Sequence, residues 1–473
     1  MDQSLIKNIK ISLILGLPIA LLFVFVSPYL LIAGLALLAA VYFLKQEFVL
    51  PLSIIVFLIL TGQELEKYRS IVTILLIILL GVMFLKKFGL AFNSYPKIPS
   101  QIIYYISFLF ITLFISSAFS IDPFSSYLSV ARLLVFLLVC YFYFALIQNG
   151  STIDNYLLAI FISVLIVGIS ILIDILKTGF VLFLLEGTIV RYGGIYENPN
   201  YVGLLLLITI PINITLFFRQ YKYPANTKFC LALLLVISII LLFVSNSRSS
   251  IIGVIIASGM AIALINKKIF IRFLITLTLS ITILLLLNEI QDYVSLYFRL
   301  ERVGNREYFW NAGVDIIFDH PFLGVGPELF DKYFFTYMPS AVTSLYESST
   351  WVVGRPHPHN FFLLFMAENG ILGLISAVSF FVLFFLICIK TLSKVKRNKS
   401  NEFLLVVSVL SIGVGIFIRA FFEVTGIITY GFITRDLPFW LLFIIVVHIY
   451  QKDDDQMKLK NDSSIQSFLK KIA

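Results

Sequence analysis

The run ILGLISAVSFFVLFFLICI at residues 371–389 decides the fold, because it is apolar, uninterrupted and free of charge. A helix of roughly 20 such residues crosses the hydrocarbon core of a bilayer. Similar runs recur from Ile11 to Tyr450, and their apolar residues are continuous rather than alternating. Strands of a membrane barrel alternate, so these runs exclude a barrel and leave helices, which satisfy their own backbone groups in lipid. The sequence therefore predicts an all-α polytopic membrane protein.

The composition agrees with that prediction. Of the 473 residues, 60% are hydrophobic and 13% are charged, whereas soluble domains are about half apolar and about a quarter charged. The net charge of +9 is typical of basic residues collected in cytoplasmic loops, and it does not indicate a nucleic-acid partner. Cys140, Cys230 and Cys388 stand alone in apolar runs, without the spacing of a disulfide framework or a metal site.

Hydropathy divides the chain into about 12–14 transmembrane helices and one large outer loop. Most of the 35 Lys and Arg residues fall in segments that face the cytoplasm when both termini lie inside, and this distribution predicts the orientation. We predict spans near 11–26, 28–44, 48–61, 70–86, 101–119, 127–148, 156–177, 200–218, 228–245, 249–265, 269–288, 360–390, 402–422 and 433–450. The predicted domains are an N-terminal bundle at 1–288, an outer loop at 289–358, C-terminal helices at 359–450 and a cytoplasmic tail at 451–473.

The outer loop is long, and long connections without a function are uncommon. Its segment Asn305–Phe318 predicts an amphipathic helix that Pro321 and Gly324 end. We expect its apolar side chains to pack, or to rest on the membrane surface. These side chains are Phe309, Trp310, Val314, Ile317 and Phe318.

Several arginines stand out, because basic residues in short outer segments oppose the topology rule and are costly inside the membrane. They are Arg132, Arg191, Arg248, Arg419 and Arg435, all predicted at outer helix ends.

Arg191 opens RYGGIYENPN at 191–200, a compact turn in which Asn200 takes the place of a helix N-cap. The N–H groups of a helix start favour anions, and an Arg side chain forks onto phosphate oxygens. The alternative is a plain loop anchored at the lipid headgroups. Arg248 lies in SNSRSS at 245–250, a donor-rich turn that could cradle an anion or serve only its own hydrogen bonds.

His357 and His359 lie in RPHPHN at 355–360, just before a predicted span. Two histidines at this spacing, with no Asp, Glu or Cys nearby in sequence, are a poor metal signature. Histidine moves protons well near neutral pH. We therefore predict an acid–base role here, with no metal and no cofactor.

Together these stretches resemble a known family. His359-Asn360 followed by Gly370-x-x-Gly373 resembles the signature of the bacterial O-antigen ligase and Wzy-type polysaccharide polymerase superfamily. The resemblance covers about residues 120–390. Also similar are the stretch at 191–201, Ser247-Arg248-Ser249, and Arg306-x-x-x-Trp310 leading to HPFLGVG at 320–326.

The resemblance implies a glycosyltransferase of the membrane type called GT-C, acting at the periplasmic or external face of the bacterial inner membrane. The donor it implies is a glycan on a polyprenyl diphosphate, used without metal or cofactor. By similarity, Arg191 and Arg248 bind the diphosphate and His359 is the essential histidine. The implied partners are that donor, a glycan acceptor, membrane lipids and a chain-length regulator. Further substrate contacts are expected from Arg306, Asn200, Asn360, His357, Arg355 and Tyr196.

The sequence favours one branch of the superfamily. Leu374 follows Gly373, where the ligase branch tends to carry a small polar residue, so we expect a polymerase of repeat units. A ligase that moves a finished glycan to lipid A-core or another acceptor is the first alternative. A small-anion transporter is the second, since relatives have been labelled bicarbonate carriers, but transporters usually place charges near mid-membrane. Asp174, the clearest acid within a predicted span, lies towards its outer end. A structural export subunit without chemistry is the third.

Overall fold

The computed structural model describes residues 46–60, 66–147, 150–179, 190–196, 198–218, 225–286, 297, 306–337, 356–395 and 401–472. Among these residues it contains fourteen α-helices, two short 3₁₀ turns and no strand. This confirms the all-α prediction. Predicted spans near 11–26 and 28–44 lie outside the described residues.

The helices follow one another in the order that hydropathy predicts. They are α1 (Gln46–Ile59), α2 (Glu66–Phe88), α3 (Ser100–Ala118), α4 (Pro123–Leu146), α5 (Gly150–Thr178), α6 (Pro199–Leu216), α7 (Ala225–Ser245), α8 (Arg248–Ile265), α9 (Lys267–Leu286), α10 (Arg306–Asp319), α11 (Phe330–Tyr337), α12 (Phe361–Lys394), α13 (Asn401–Ala420) and α14 (Ile433–Ile472).

Ten helices in the described part of the chain are long and apolar enough to cross a membrane. They are α2 to α8, α12, α13 and the first half of α14. This confirms a polytopic membrane protein. The helix α14 continues to Ile472, through the segment predicted as a cytoplasmic tail.

The centre of the bundle is formed by α6, α8 and α13, which pack closely against one another. Gly253 of α8 and Gly415 of α13 mark their closest approach, since a Cβ on Gly253 would lie 3.0 Å from the Gly415 carbonyl oxygen. Small residues allow this approach in membrane helices. The contact fixes the start of α8 against the start of α6 and the end of α13, which is where the arginines lie.

The outer segment α10–α11 packs on α12 through a small apolar core of its own. Phe309 and Ile316 of α10 and Phe334 of α11 are buried there against Leu364. Val314 and Phe318 are exposed, so Phe309 packs, whereas these two side chains do not pack on the described residues. That they rest on the membrane surface stays a prediction.

A kink in α12 receives the loop between α10 and α11. At Gly370 the backbone has φ +64° and ψ −158°. The Gly326 N–H donates to the Glu368 carbonyl oxygen at 2.8 Å, and the Phe330 N–H donates to Glu368 Oε1 at 3.2 Å. Gly370 lies against the backbone of Phe322 in the loop.

Substituting Gly370 by alanine is expected to undock the outer segment. Its φ and ψ lie in a region restricted essentially to glycine, where other residues cost on the order of 1–3 kcal/mol. A Cβ would also collide with the Phe322 carbonyl oxygen. We expect a lower melting temperature in detergent and faster proteolysis between residues 320 and 337.

The matched control is Gly89→Ala. Gly89 also has a positive φ, of +67°, but nothing lies within 4 Å of an added Cβ. It therefore reports backbone strain without the collision. Equal proteolysis of the outer segment in both variants would show that Gly370 has no docking role.

Candidate functional site

Three of the predicted arginines meet in one narrow pocket at the end of the bundle that is predicted to face outwards. Asn200, Arg248 and Arg306 stand in the first turns of α6, α8 and α10. The N-termini of three helices therefore lie at this pocket, and their N–H groups and dipoles add to the charge of the guanidiniums. The lining residues are Arg191, Asn200, Asn246, Arg248, Ser249 and Arg306.

The buried side chain of Asn200 joins this pocket to the predicted histidines. Its Oδ1 accepts from Arg191 Nη2 at 2.7 Å and from Ser247 Oγ at 3.2 Å. Its Nδ2 donates to Glu423 Oε2 at 2.6 Å. Both the oxygen and the nitrogen of this amide are thus hydrogen-bonded, which fixes Arg191 relative to Glu423.

The prediction that Asn200 is the N-cap of α6 is wrong. The cap is Asn198, whose Oδ1 accepts from the Asn200 N–H at 2.9 Å. Pro199 takes the first helical position, which suits proline because that position has no intrahelical use for an N–H. This shift places the Asn200 side chain inside the bundle instead of at the helix end.

Hydrogen bonds to the end of α7 and to Asn200 hold the Arg191 side chain at the pocket. Its Nε donates to the Ser245 carbonyl oxygen at 3.2 Å, and its Nη2 donates to Asn200. Ser245 ends α7, and Asn246 beyond it has a φ of +44°, a conformation that Asn tolerates well. The turn between α7 and α8 therefore aligns Arg191 with Arg248.

His359 directly precedes Asn360, the N-cap of α12, and has a strained backbone, with a φ of +48°. Such a conformation costs about 1–3 kcal/mol and persists only where the surroundings impose it. Here α10 imposes it, because Trp310 Nε1 donates to the Pro358 carbonyl oxygen at 2.7 Å. The Phe309 ring also meets the His359 ring edge-on at 5.9 Å between centroids. The outer helix therefore positions the histidine.

Glu423 lies beside His359 although the sequence gives no hint of the pairing. Its Oε2 is 3.5 Å from His359 Nδ1, and its side chain is 1% exposed. Burial would raise the pKa of Glu423, but its contact with His359 and the positive charge of Arg419 hold it well below its usual range. The result is a buried carboxylate that faces an imidazole, an arrangement that orients the ring and stabilises its protonated form.

The His357 ring lies against the His359 ring in a tilted arrangement, with 4.1 Å between ring centroids. Its Nδ1 accepts from the His359 backbone N–H at 3.3 Å. Burial, followed by the neighbouring charge of His359, lowers the pKa of His357 to about 3. His357 is therefore uncharged at neutral pH.

The structure adds a carboxylate to the two histidines, which by sequence alone are a poor metal signature. Glu423 approaches from another part of the chain, and donor atoms of His357, His359 and Glu423 lie within 4.8 Å of one another. Two imidazoles and a carboxylate can hold a metal ion. The sequence alone did not indicate this group, because Glu423 is distant in sequence from the two histidines.

The side chain of Arg419 links the elements behind the site through hydrogen bonds. It is 1% exposed, and its Nη2 donates to the Asn200 carbonyl oxygen at 3.1 Å. Its Nε donates to Ser250 Oγ at 3.1 Å, and its Nη1 donates to the Thr425 carbonyl oxygen. It therefore connects α6, α8 and the connection that carries Glu423.

Other predicted site residues lie elsewhere. Tyr196 lines a separate small pocket with Tyr201 and Arg435. Asn360 caps α12, since its Oδ1 accepts from the Leu363 N–H at 3.0 Å. Arg355 lies outside the described residues. Arg132, also singled out in sequence, forms an ion pair with Glu328 of the outer segment.

Comparison with known proteins gives one match. Residues 233–378 match the family model described as O-Antigen ligase. No curated protein matches the chain significantly. The matched range contains Arg248, Arg306 and His359, whereas Arg191 and Glu423 lie on either side of it. The match supports the resemblance seen in the motifs: residues 233–378 of this membrane protein are similar to the O-Antigen ligase family.

Proposed function

We propose that this protein is a membrane glycosyltransferase that polymerises repeat units carried on polyprenyl diphosphate, at the outer face of the bacterial inner membrane. The product would be O-antigen, capsule or a related surface polysaccharide. The acceptor hydroxyl oxygen attacks the anomeric carbon of the donor glycan. The bond from that carbon to the diphosphate oxygen breaks, and polyprenyl diphosphate leaves.

The observation that carries this proposal is the meeting of Arg191, Arg248 and Arg306 at three helix N-termini. A diphosphate leaving group gains negative charge as the glycosidic bond breaks. Guanidiniums and helix N–H groups that are already in place stabilise that charge more in the transition state than in the ground state. This arrangement supports a phosphate-bearing donor.

The pocket must open to admit such a group. Its free volume of about 20 Å³ is far below the roughly 300–1,000 Å³ of ordinary ligand sites. The partly exposed side chains of Arg248 and Arg306 can turn outwards to make room, whereas Arg191 is hydrogen-bonded to Asn200 and to the Ser245 carbonyl oxygen. We propose that Arg248 and Arg306 close onto the diphosphate, with Arg191 and Asn200 as the fixed side of the pocket.

We propose His359 as the general base. Glu423 faces its Nδ1, which leaves Nε2 to take the proton of the acceptor hydroxyl. Glu423 then stabilises the imidazolium that forms. General bases of this kind contribute typically about 10²–10⁴ in rate.

Two observations bear on whether this protein is a polymerase or a ligase. Leu374 after Gly373 supports the polymerase. The similarity of residues 233–378 to the O-Antigen ligase family supports the ligase, which stays the alternative. Both use the same donor chemistry, so the acceptor decides between them.

The test is incubation of the purified full-length chain, in lipid nanodiscs, with a polyprenyl-diphosphate oligosaccharide. A polymerase yields a ladder of products that differ by one repeat unit, and a ligase yields a single transfer to an added lipid A-core acceptor. Absence of both, together with anion flux in proteoliposomes, would replace the proposal with the transport alternative.

A further inference from the structure

We propose that His357, His359 and Glu423 form a binding site for a divalent transition-metal ion, with Zn²⁺ as its natural probe, and that an ion bound there blocks glycan transfer. The first part stands on geometry alone. The second part rests on the proposed function, because it requires His359 to act as the base.

The donor set matches zinc chemistry. Two imidazole nitrogens and one carboxylate oxygen are the three protein ligands of many zinc sites, with a fourth position left to water. Mg²⁺ and Ca²⁺ prefer oxygen ligands, so two histidines among three donors favour a softer ion. Zinc bonds of about 2.0–2.1 Å in a tetrahedron set neighbouring donors about 3.3 Å apart.

The observed spacing is close to that requirement. His359 Nδ1 and Glu423 Oε2 are already 3.5 Å apart, and all three donors lie within 4.8 Å. His359 Nδ1 is buried and makes no hydrogen bond among the described residues, with Glu423 Oε2 3.5 Å away, so it can bind an ion once the ring proton moves to Nε2. The donor of His357 completes the set when its ring moves closer to this pair.

Binding gives up one weak contact. The His359 backbone N–H donates to His357 Nδ1 at 3.3 Å. An ion on Nδ1 displaces this bond, and an ion on Nε2 forces the ring proton onto Nδ1, which also breaks it. This cost is small, because the bond is long for an N–H donor.

A neighbouring amide orients one ligand of the site, and neighbouring arginines lower its affinity for a cation. Asn200 Nδ2 donates to Glu423 Oε2 at 2.6 Å, the kind of outer contact that orients a ligating carboxylate. Arg419 acts electrostatically on Glu423, and Arg306 and Arg435 act on His357. Their positive charges oppose a cation, so we expect reversible capture rather than a permanent structural ion.

An ion at this site would occupy the imidazole that the proposed reaction needs. A metal-bound His359 has no free base to accept the acceptor's proton, and the ion also neutralises Glu423. Zinc should therefore inhibit transfer, and a chelator should restore it.

The experiment uses the full-length chain without a polyhistidine tag, stripped with chelator and held in nanodiscs. Zn²⁺ is titrated by equilibrium dialysis, and Co²⁺ reports the donor set by visible absorption. We expect about one Zn²⁺ per chain. Loss of an outer partner typically costs about 10–100-fold in affinity, so His357→Asn and Glu423→Gln should each weaken binding more than that.

The chain has four histidines, which offers a matched control. The double variant His320→Asn/His448→Asn removes the other two and should bind zinc as the wild type does. Zinc should also raise the melting temperature of the wild type and of this double variant, but not of Glu423→Gln, which separates lost binding from lost folding.

Wild-type protein that binds no zinc, or binds it equally in His357→Asn and Glu423→Gln, would overturn the metal site. Stoichiometric binding without inhibition of transfer would overturn the second part. Zinc binding in a protein that transfers no glycan would support the site and count against the proposed function, so the two failures are distinguishable.

Discussion

Replacing His359 by alanine is expected to lower the rate of glycan transfer by about 10²–10⁴. Its ring faces the buried carboxylate of Glu423, and the substitution removes both the base and the group that Glu423 stabilises. The measurement is the initial rate of product formation at saturating donor, on protein quantified in the membrane.

Three companion variants make this result specific. His320→Ala removes an imidazole that packs edge-on against Tyr333 and should leave the rate near wild type. His357→Ala should cost less than His359→Ala. Glu423→Gln keeps the shape but loses the charge, so it should lower kcat with little change in KM. An inactive His357→Ala beside an active His359→Ala would reverse the assignment of the base.

Replacing Arg248 by alanine is expected to lower the rate by about 10²–10³, the typical loss for one donor that stabilises developing charge. Arg248 is the first residue of α8 and lines the pocket with Arg191 and Arg306. Arg248→Lys keeps the charge but loses the fork onto two oxygens, so it should recover only part of the rate.

The control for this series is Arg132→Ala. Arg132 is also a basic residue at the predicted outer end, but it pairs with Glu328 outside the pocket. It should retain transfer activity. Arg191→Ala should lose both rate and melting temperature, because Arg191 also bonds Ser245 and Asn200. Full activity in Arg248→Ala would contradict the proposal that the diphosphate binds in this pocket.

The fold could be predicted because its signal is local. Each apolar run carries its own evidence for a helix, and the ends of α3 at Ser100 and Ala118 lie within a residue of the predicted 101–119. The break after α10 followed from Pro321 in the same way. The position of the α6 cap did not, because Asn198 and Asn200 are equally good caps and only the proline between them decides.

The site could be predicted only where one residue was unusual by itself. Arg191 and Arg248 stood out because charge is costly near lipid, and His359 because of its chemistry. Glu423 did not, since an acid in a short connection at a membrane surface is ordinary, and its pairing with His359 depends on the packing of α12 against α13. Arg419 was noticed as a charge, but its burial against Asn200 and Ser250 depends on three helices meeting.

The most direct measurement is the affinity of the full-length chain for a non-reactive polyprenyl diphosphate analogue, in nanodiscs, compared across two sets of variants. We predict that Arg191→Ala and Arg248→Ala weaken binding strongly, whereas His359→Ala and Glu423→Gln bind it as the wild type does while failing to turn over donor. Unchanged affinity in both arginine variants would contradict the account.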